Sequence, residues 1–306
     1  MIKKLTNRGR YKMIRVLQIL LYVAVVGFGI VFFKDQISAK KNGRLEKEKA
    51  WKPALIGFST NFFDTLGIGA FAPTVFLFKA FKSNITDKQI PATLNVACTL
   101  PVLCEAIIFI QATKVEPITL VSLIAAAVVG SYLGAGVIAR TDEKKIQIIM
   151  GVALFISAVM LLLSTLKVLP IGGTALGLHG AKLIVAIVIF FILGALMTAG
   201  IGLYAPAMVV VYSMGMDPSA AFPIMMGSCA LLMPVASAKF IKEDAYAKKN
   251  SLLISIFGII GVVIAAFFVK GLSIDKLKIL VTIVVALTSF MMLKSAFKNK
   301  GNASVS

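Results

Sequence analysis

The chain has 306 residues, of which 59% are hydrophobic and 15% charged, with a mean hydropathy of +0.94 and a formal net charge of +19. So low a charged share, against roughly 25% in an ordinary soluble domain, excludes a water-soluble globule, and the long apolar runs define a polytopic membrane protein. The positive charge does not point to nucleic acid. Lys and Arg gather in residues 3–15, in 34–52 and beside the apolar runs, where they meet anionic lipid and set topology.

In chain order, residues 1–13 form a basic tail and Ile14 to Phe33 an apolar stretch long enough to span. Its core is too long for a signal-peptide h-region and no A-x-A site follows, so it reads as a retained anchor helix. Residues 34–52 are a charged linker, helical or disordered at the membrane surface. Eight further spans are expected at about 53–81, 88–112, 118–139, 145–166, 180–213, 221–241, 250–270 and 274–296. Residues 167–179, with Pro170, Gly172, Gly173 and Gly177, join two halves. The expected layout is therefore an anchor and linker (1–52), a first transmembrane repeat (53–166), a joining loop (167–179) and a second repeat (180–300). The fold class is an all-α membrane protein of about nine spans, four in each repeat plus the anchor. If every span crosses once, the repeats are parallel. Re-entry of the long 180–213 run would change that parity, so the orientation stays open.

The division into repeats rests on a duplicated motif. Thr65–Leu66–Gly67–Ile68–Gly69–Ala70–Phe71–Ala72–Pro73 returns, 133 residues on, as Thr198–Ala199–Gly200–Ile201–Gly202–Leu203–Tyr204–Ala205–Pro206. The same offset carries Ala97 onto Ala230, Pro101 onto Pro234 and Val102 onto Val235, as an internal duplication would. Glycine pairs followed by proline interrupt a helix, and freed backbone groups survive in a bilayer only against protein or a wet cavity. Paired breaks in two halves of a membrane protein point to a transport site.

A helix that unwinds at Gly67–Gly69 and restarts near Pro73 presents unpaired N–H groups, with its dipole behind them, to an anion. Thr65 and Thr198 would add hydroxyl donors, and Phe71 and Tyr204 would wall the cavity. The competing reading is that the Gly-x-Gly pairs only let helices pack closely. Asn61 and Asp64 precede the first motif. Asn95 and Thr99 lie on the next helix, and Ser228 falls at the position equivalent to Asn95. Asn95 could ligate an oxyanion or simply tie helices together.

Asp64 and Glu105 are the acids deepest in apolar sequence. A carboxylate there costs at least about 2.5 kcal/mol on insertion scales, so each is expected either to carry a coupling proton or to pair with Lys79 or Lys239. Pro91, Pro101, Pro223 and Pro234 are expected to kink the helices that follow the motifs. His179, near Lys182, reads as a surface or interfacial residue, and Met225, Met226 and Met233 as lipid-facing or packing residues. Cys98, Cys104 and Cys229 lack CxxC spacing, so neither a disulfide frame nor a metal site is expected. The sequence has no GxxxxGK[ST], HExxH or GxSxG pattern; no cofactor and no enzymatic reaction is expected.

The segment Asn61 to Pro73 resembles the glycine-rich opening of the TauE/SafE sulfite exporter family, roughly G-F-x-D-x-x-x-G-G-G-G-x-x-x-x-P. Gly194 to Pro206 is similar to the opening of that family's second half. Met216–Asp217–Pro218–Ser219–Ala220–Ala221 resembles the G-x-x-P-x-x-A loop that follows, and Gly227–Ser228 the [GT]-[ST] pair entering the next helix. Asn95 matches the asparagine of a T-N pair in which Leu94 replaces the threonine, and the glycine run is thinner here. The resemblance extends over residues 53–296, leaving out the anchor and linker. It implies a secondary carrier of the cell membrane that moves a sulfur-containing anion such as sulfite or an organosulfonate, outward, by rocking of the two repeats. The expected anion site comprises Thr65, Gly67, Gly69, Phe71, Asn95, Thr99, Thr198, Gly200, Gly202, Tyr204 and Ser228, with Asp64 and Glu105 for proton coupling. The partners expected are the anion, the bilayer and H+, with no nucleic acid. The rival readings are an anion or water channel, and a membrane scaffold or enzyme subunit that transports nothing.

Overall fold

A computed structural model describes residues 2–66, 69–109, 115–166, 168, 173–268 and 274–298. Its helices are α1 (Ile2–Lys41), α2 (Trp51–Thr65), α3 (Phe71–Ala80), α4 (Ile90–Phe109, after a 3-10 turn at Asp87–Gln89), α5 (Pro117–Arg140), α6 (Glu143–Thr165), α7 (Gly180–Met197), α8 (Tyr204–Ser213), α9 (Pro218–Lys242), α10 (Lys248–Phe268) and α11 (Ile274–Lys298). Among the described residues six helices are long and apolar enough to cross a membrane: α1, α4, α5, α7, α9 and α10. Of the expected spans, 53–81 and 180–213 are each broken into two helices, α2 with α3 and α7 with α8.

The 53–81 run does not cross. Trp51, at the start of α2, lies with its ring centroid 5.5 Å from that of Phe81, just past the end of α3. Beside them Lys52 Nζ donates to Lys82 O (3.5 Å) and Asn84 N to Glu48 Oε2 (2.6 Å). α2 therefore enters the bundle and α3 returns to the face it came from. The 180–213 run behaves likewise. Lys182 Nζ, in the first turn of α7, donates to Met214 O, just past α8 (3.1 Å), and Gly173 N and Asp217 N bond across the same loops to Met216 O and Ala175 O. Both runs are re-entrant hairpins, and Gly69 in the first and Gly200 in the second supply left-handed backbone at the reversal.

The two hairpins enter from opposite faces. The first face holds the start of α2, the starts of α4 and α10 (Ala247 N to Thr93 Oγ1, 3.0 Å), the start of α6 (Gln147 Nε2 to Asp87 Oδ2, 2.8 Å) and the ends of α5 and α9 (Arg140–Glu243, 3.1 Å). The second face holds the start of α5 beside the start of α7, where Glu116 pairs with His179 (3.1 Å) and Leu178 N donates to Thr119 Oγ1. The set α2–α6 thus runs opposite to the set α7–α11.

The contacts have matching counterparts. α2 packs on α10 as α7 packs on α5; α4 touches α10 as α9 touches α5; α3 lies against α11 as α8 lies against α6; α4–α9 and α6–α11 close the bundle. Small residues allow these approaches, as expected where lipid supplies no hydrophobic drive between helices. A Cβ on Gly130 would fall 1.9 Å from Phe191 O, and one on Gly261 would fall 2.4 Å from Phe58 O. Phe58 and Phe191 are themselves related by the 133-residue offset.

The linker of residues 42–50 is ordered by carboxylates. Glu46 accepts from Lys248 N and Lys249 N (2.6 Å each), and Asp35 of α1 takes Lys248 Nζ (2.8 Å) and Tyr246 OH (2.5 Å). Burial raises the Glu48 and Asp244 carboxyls. N–H bonds from Asn84 and Lys49 outweigh it for Glu48, and Lys248 and Arg44 for Asp244, so both end below their ordinary values. Pro91 sits in the first turn of α4, where a missing N–H costs nothing. Pro101, Pro223 and Pro234 lie inside helices. Met225, Met226 and Met233 are packing residues, buried in the core rather than facing lipid.

Candidate functional site

Both hairpin tips reach α4 inside the bundle. The first tip lies between the end of α2 at Thr65 and the start of α3 at Phe71, and the second between Met197 and Tyr204. The Ala70 N–H lies near the Asp64 carboxylate across the first tip. Tyr204, first residue of α8, reaches Glu105 Oε1 on α4 (3.4 Å) and lies within range of the Asp64 charge as well. Glu105 also feels Asp64, and Cys229 of α9 feels both acids. One cluster thus joins Asp64, Glu105, Tyr204 and Cys229 from four elements.

Neither acid takes the lysine partner offered by the sequence. Lys79 pairs with Asp87, and Lys239 with Glu243 (3.2 Å). Asp64 and Glu105 are 5% and 1% exposed, and the sequence has no Lys or Arg in 53–78, 89–113 or 183–238. Among the described residues, two buried carboxyl groups therefore stand here with no ion pair to a lysine or arginine.

Asn95 ties helices together. Its Nδ2 donates to Pro91 O (2.9 Å) and to Met197 O at the second tip (3.4 Å), tying α4 to α7, while Oδ1 is buried without a partner. Ser228 Oγ, Asn61 Oδ1 and Glu105 Oε2 are likewise buried and unpartnered. Such atoms cost about 1–3 kcal/mol each when left unsatisfied. Thr99 Oγ1 is bonded to Asn95 O (2.6 Å) and to Ser237 Oγ (2.9 Å).

The threonines of the motif are not free donors in this conformation. Thr65 Oγ1 donates to Asn61 O (2.9 Å) and Thr198 Oγ1 to Ala195 O (2.6 Å), so their hydrogens close the last turns of α2 and α7 and only oxygen lone pairs face outward. The donors left at the tips are the first backbone amides of α3 and α8, whose dipoles point inward. Phe71 is packed in the core, 5% exposed, whereas Tyr204 is half-buried and polar toward Glu105.

The two glycine pairs turn differently. Gly69 has φ +89° in the first tip and Gly200 has φ +93° in the second, the left-handed region glycine favours. Gly202, the counterpart of Gly69, takes no such angle and borders open space. Gly67 lies outside the described residues. Met197, Cys229 and Ser237 were not legible as site residues, because their counterparts under the 133-residue offset (Asp64, Val96 and Cys104) differ from them in kind. His179 is exposed and paired only with Glu116, a surface residue as expected.

No group of His, Cys, Asp and Glu among the described residues could hold a metal ion. No curated protein and no solved structure matches the chain. A sequence model of one family, described as Sulfite exporter TauE/SafE, matches residues 11–161. The match starts within the anchor helix, which the resemblance had left out, and stops within α6 before the second hairpin. With the duplicated tip motif and several apolar helices in agreement, residues 11–161 are thus similar to the sulfite exporter TauE/SafE family of membrane transporters.

Proposed function

We propose that the protein is a secondary carrier of a small sulfur-containing oxyanion such as sulfite or an organosulfonate, moving it outward across the cell membrane by alternating access between residues 53–166 and 180–300. The observation that carries this reading is the pair of re-entrant tips from opposite faces, which bring the N-termini of α3 and α8 to buried polar groups that include the unpartnered oxygens of Asn95, Ser228 and Glu105. A helix N-terminus holds an anion without a basic side chain, and these spans offer none.

The anion is held by the tip amides around Gly69 and Gly202, with Ser228 and Tyr204 beside it, and Asn95 donates to it only on releasing Met197 O. Thr65, Thr198 and Thr99 turn their hydroxyl hydrogens toward it only when they release Asn61 O, Ala195 O and Asn95 O. Phe71 supports the first tip from the core. Asp64 and Glu105 repel an anion while ionised, so a proton on either favours substrate binding. That linkage couples the anion to H+. The two antiparallel sets of helices exchange roles between an inward-open and an outward-open state, as inverted repeats do.

The test is flux of labelled sulfite, sulfate and a small sulfonate in proteoliposomes, with and without a pH gradient. Wild type is expected to give saturable flux of one anion that responds to the gradient. Glu105→Gln is expected to keep saturable flux and lose the response. Ohmic, non-saturating current would replace the carrier by a channel, and a Glu105→Gln/Asp64→Asn protein with an unchanged pH response would end the coupling role.

A further inference from the structure

A second feature lies away from the tips. Between α1, α5 and α9 runs an apolar crevice of about 530 Å³, within the usual size of a ligand cleft. α1 lines it from Leu20 through Gly27 to Val31, and α9 from Leu231 through Lys239 to Lys242. Each of these stretches is about 16 Å of helix, close to one leaflet of a hydrocarbon layer about 30 Å thick. Both helices end at the first face, where Asp35 of α1 binds Lys248 just past α9, so they run in the same direction. The apolar end of the crevice is therefore buried at membrane depth and its lysines stand at the surface.

The charge at that mouth is positive. Lys239 and Arg140 share the single Glu243 carboxylate (3.2 and 3.1 Å), and Lys242 is exposed beside them. Gly27 keeps the crevice open from the α1 side: a Cβ there would meet nothing within 4 Å. We propose that the crevice binds one phospholipid with an anionic headgroup, its acyl chain lying along Gly27 and its phosphate against Lys242 and Lys239. Depth of one leaflet, apolar walls and cations confined to the surface end together select that occupant. A transmembrane helix would need a broader face and would leave the lysines unanswered.

The test is native mass spectrometry of the purified full chain equilibrated with equal amounts of phosphatidylglycerol and phosphatidylcholine. Wild type is expected to retain phosphatidylglycerol in preference. Lys242→Gln, an exposed change that leaves packing alone, is expected to weaken phosphatidylglycerol retention about fivefold, the effect of removing one cation beside an anionic headgroup. Gly27→Leu, which fills the crevice without meeting backbone, is expected to lower retention of both lipids. Equal retention of the two lipids by wild type overturns the headgroup assignment. Unchanged phosphatidylglycerol retention in both variants overturns the site, and displacement by inorganic phosphate overturns the lipid in favour of a soluble anion.

Discussion

At the scale of single residues, the glycines of the tips do unequal work. Gly69 needs its positive φ, so a side chain there carries the cost of the left-handed region, about 1–2 kcal/mol. Gly202, in ordinary backbone with open space around it, carries none. Gly69→Ala is therefore expected to lower the thermal unfolding temperature of the purified protein, while Gly202→Ala leaves it unchanged; equal effects would contradict the turn geometry. The duplicated motif located both tips correctly, but it could not say which glycine of each pair bends the chain. That depends on what surrounds the turn, as at Gly200, where Met150 Cε would stand 2.8 Å from an added Cβ. The threonines show the same limit. Their position at the tips was legible, whereas the choice between donating to a ligand and donating to the i−4 or i−3 carbonyl is set by helix geometry.

At the scale of elements, the two equivalent packing interfaces solve one problem with exchanged side chains. Between α7 and α5, Gly194 faces the backbone of Ala127; between α2 and α10, Asn61 faces Gly258. The bulk has moved from one helix to the other. A Cβ on Gly258 would lie 2.7 Å from Asn61 Nδ2 and 2.8 Å from Pro101 Cγ, so Gly258→Ala is expected to destabilise by about 1–3 kcal/mol through overpacking. Adding Asn61→Ala should recover part of that loss in a double-mutant cycle, leaving the share due to Pro101. Strict additivity in chemical unfolding would show that the two residues do not oppose each other. Such exchange hides the repeat from residue-by-residue comparison, which is why only the glycine motifs and a few apolar positions revealed it.

At the scale of the whole molecule, re-entry decides which loops share a side. Asn84 and Lys47 lie exposed on the first face and Thr174 on the second. In sealed vesicles, an impermeant maleimide is expected to reach Asn84→Cys and Lys47→Cys from the same side and Thr174→Cys from the other. Labelling of Asn84→Cys opposite to Lys47→Cys would restore a single crossing for 53–81. Apolar length alone could not separate these arrangements, because a hairpin of two half-helices and one long span have the same composition. What distinguishes them is where the ends meet, through Trp51 and Phe81 or Lys182 and Met214, and such long-range pairings leave no periodic trace in a sequence.

The pairing of α2 with α10 and of α7 with α5 also sets an order of assembly. Synthesis proceeds from the N-terminus and early segments ordinarily fold first. Here the first hairpin is made long before residues 248–268, against which α2 packs. Until they emerge, an apolar run that must not cross has no seat in the bundle. The second hairpin, by contrast, finds α5 already in place. Biogenesis is thus asymmetric in time although the finished bundle is nearly symmetric in space, and a chain ending after α6 would leave its first hairpin without the helix that receives it.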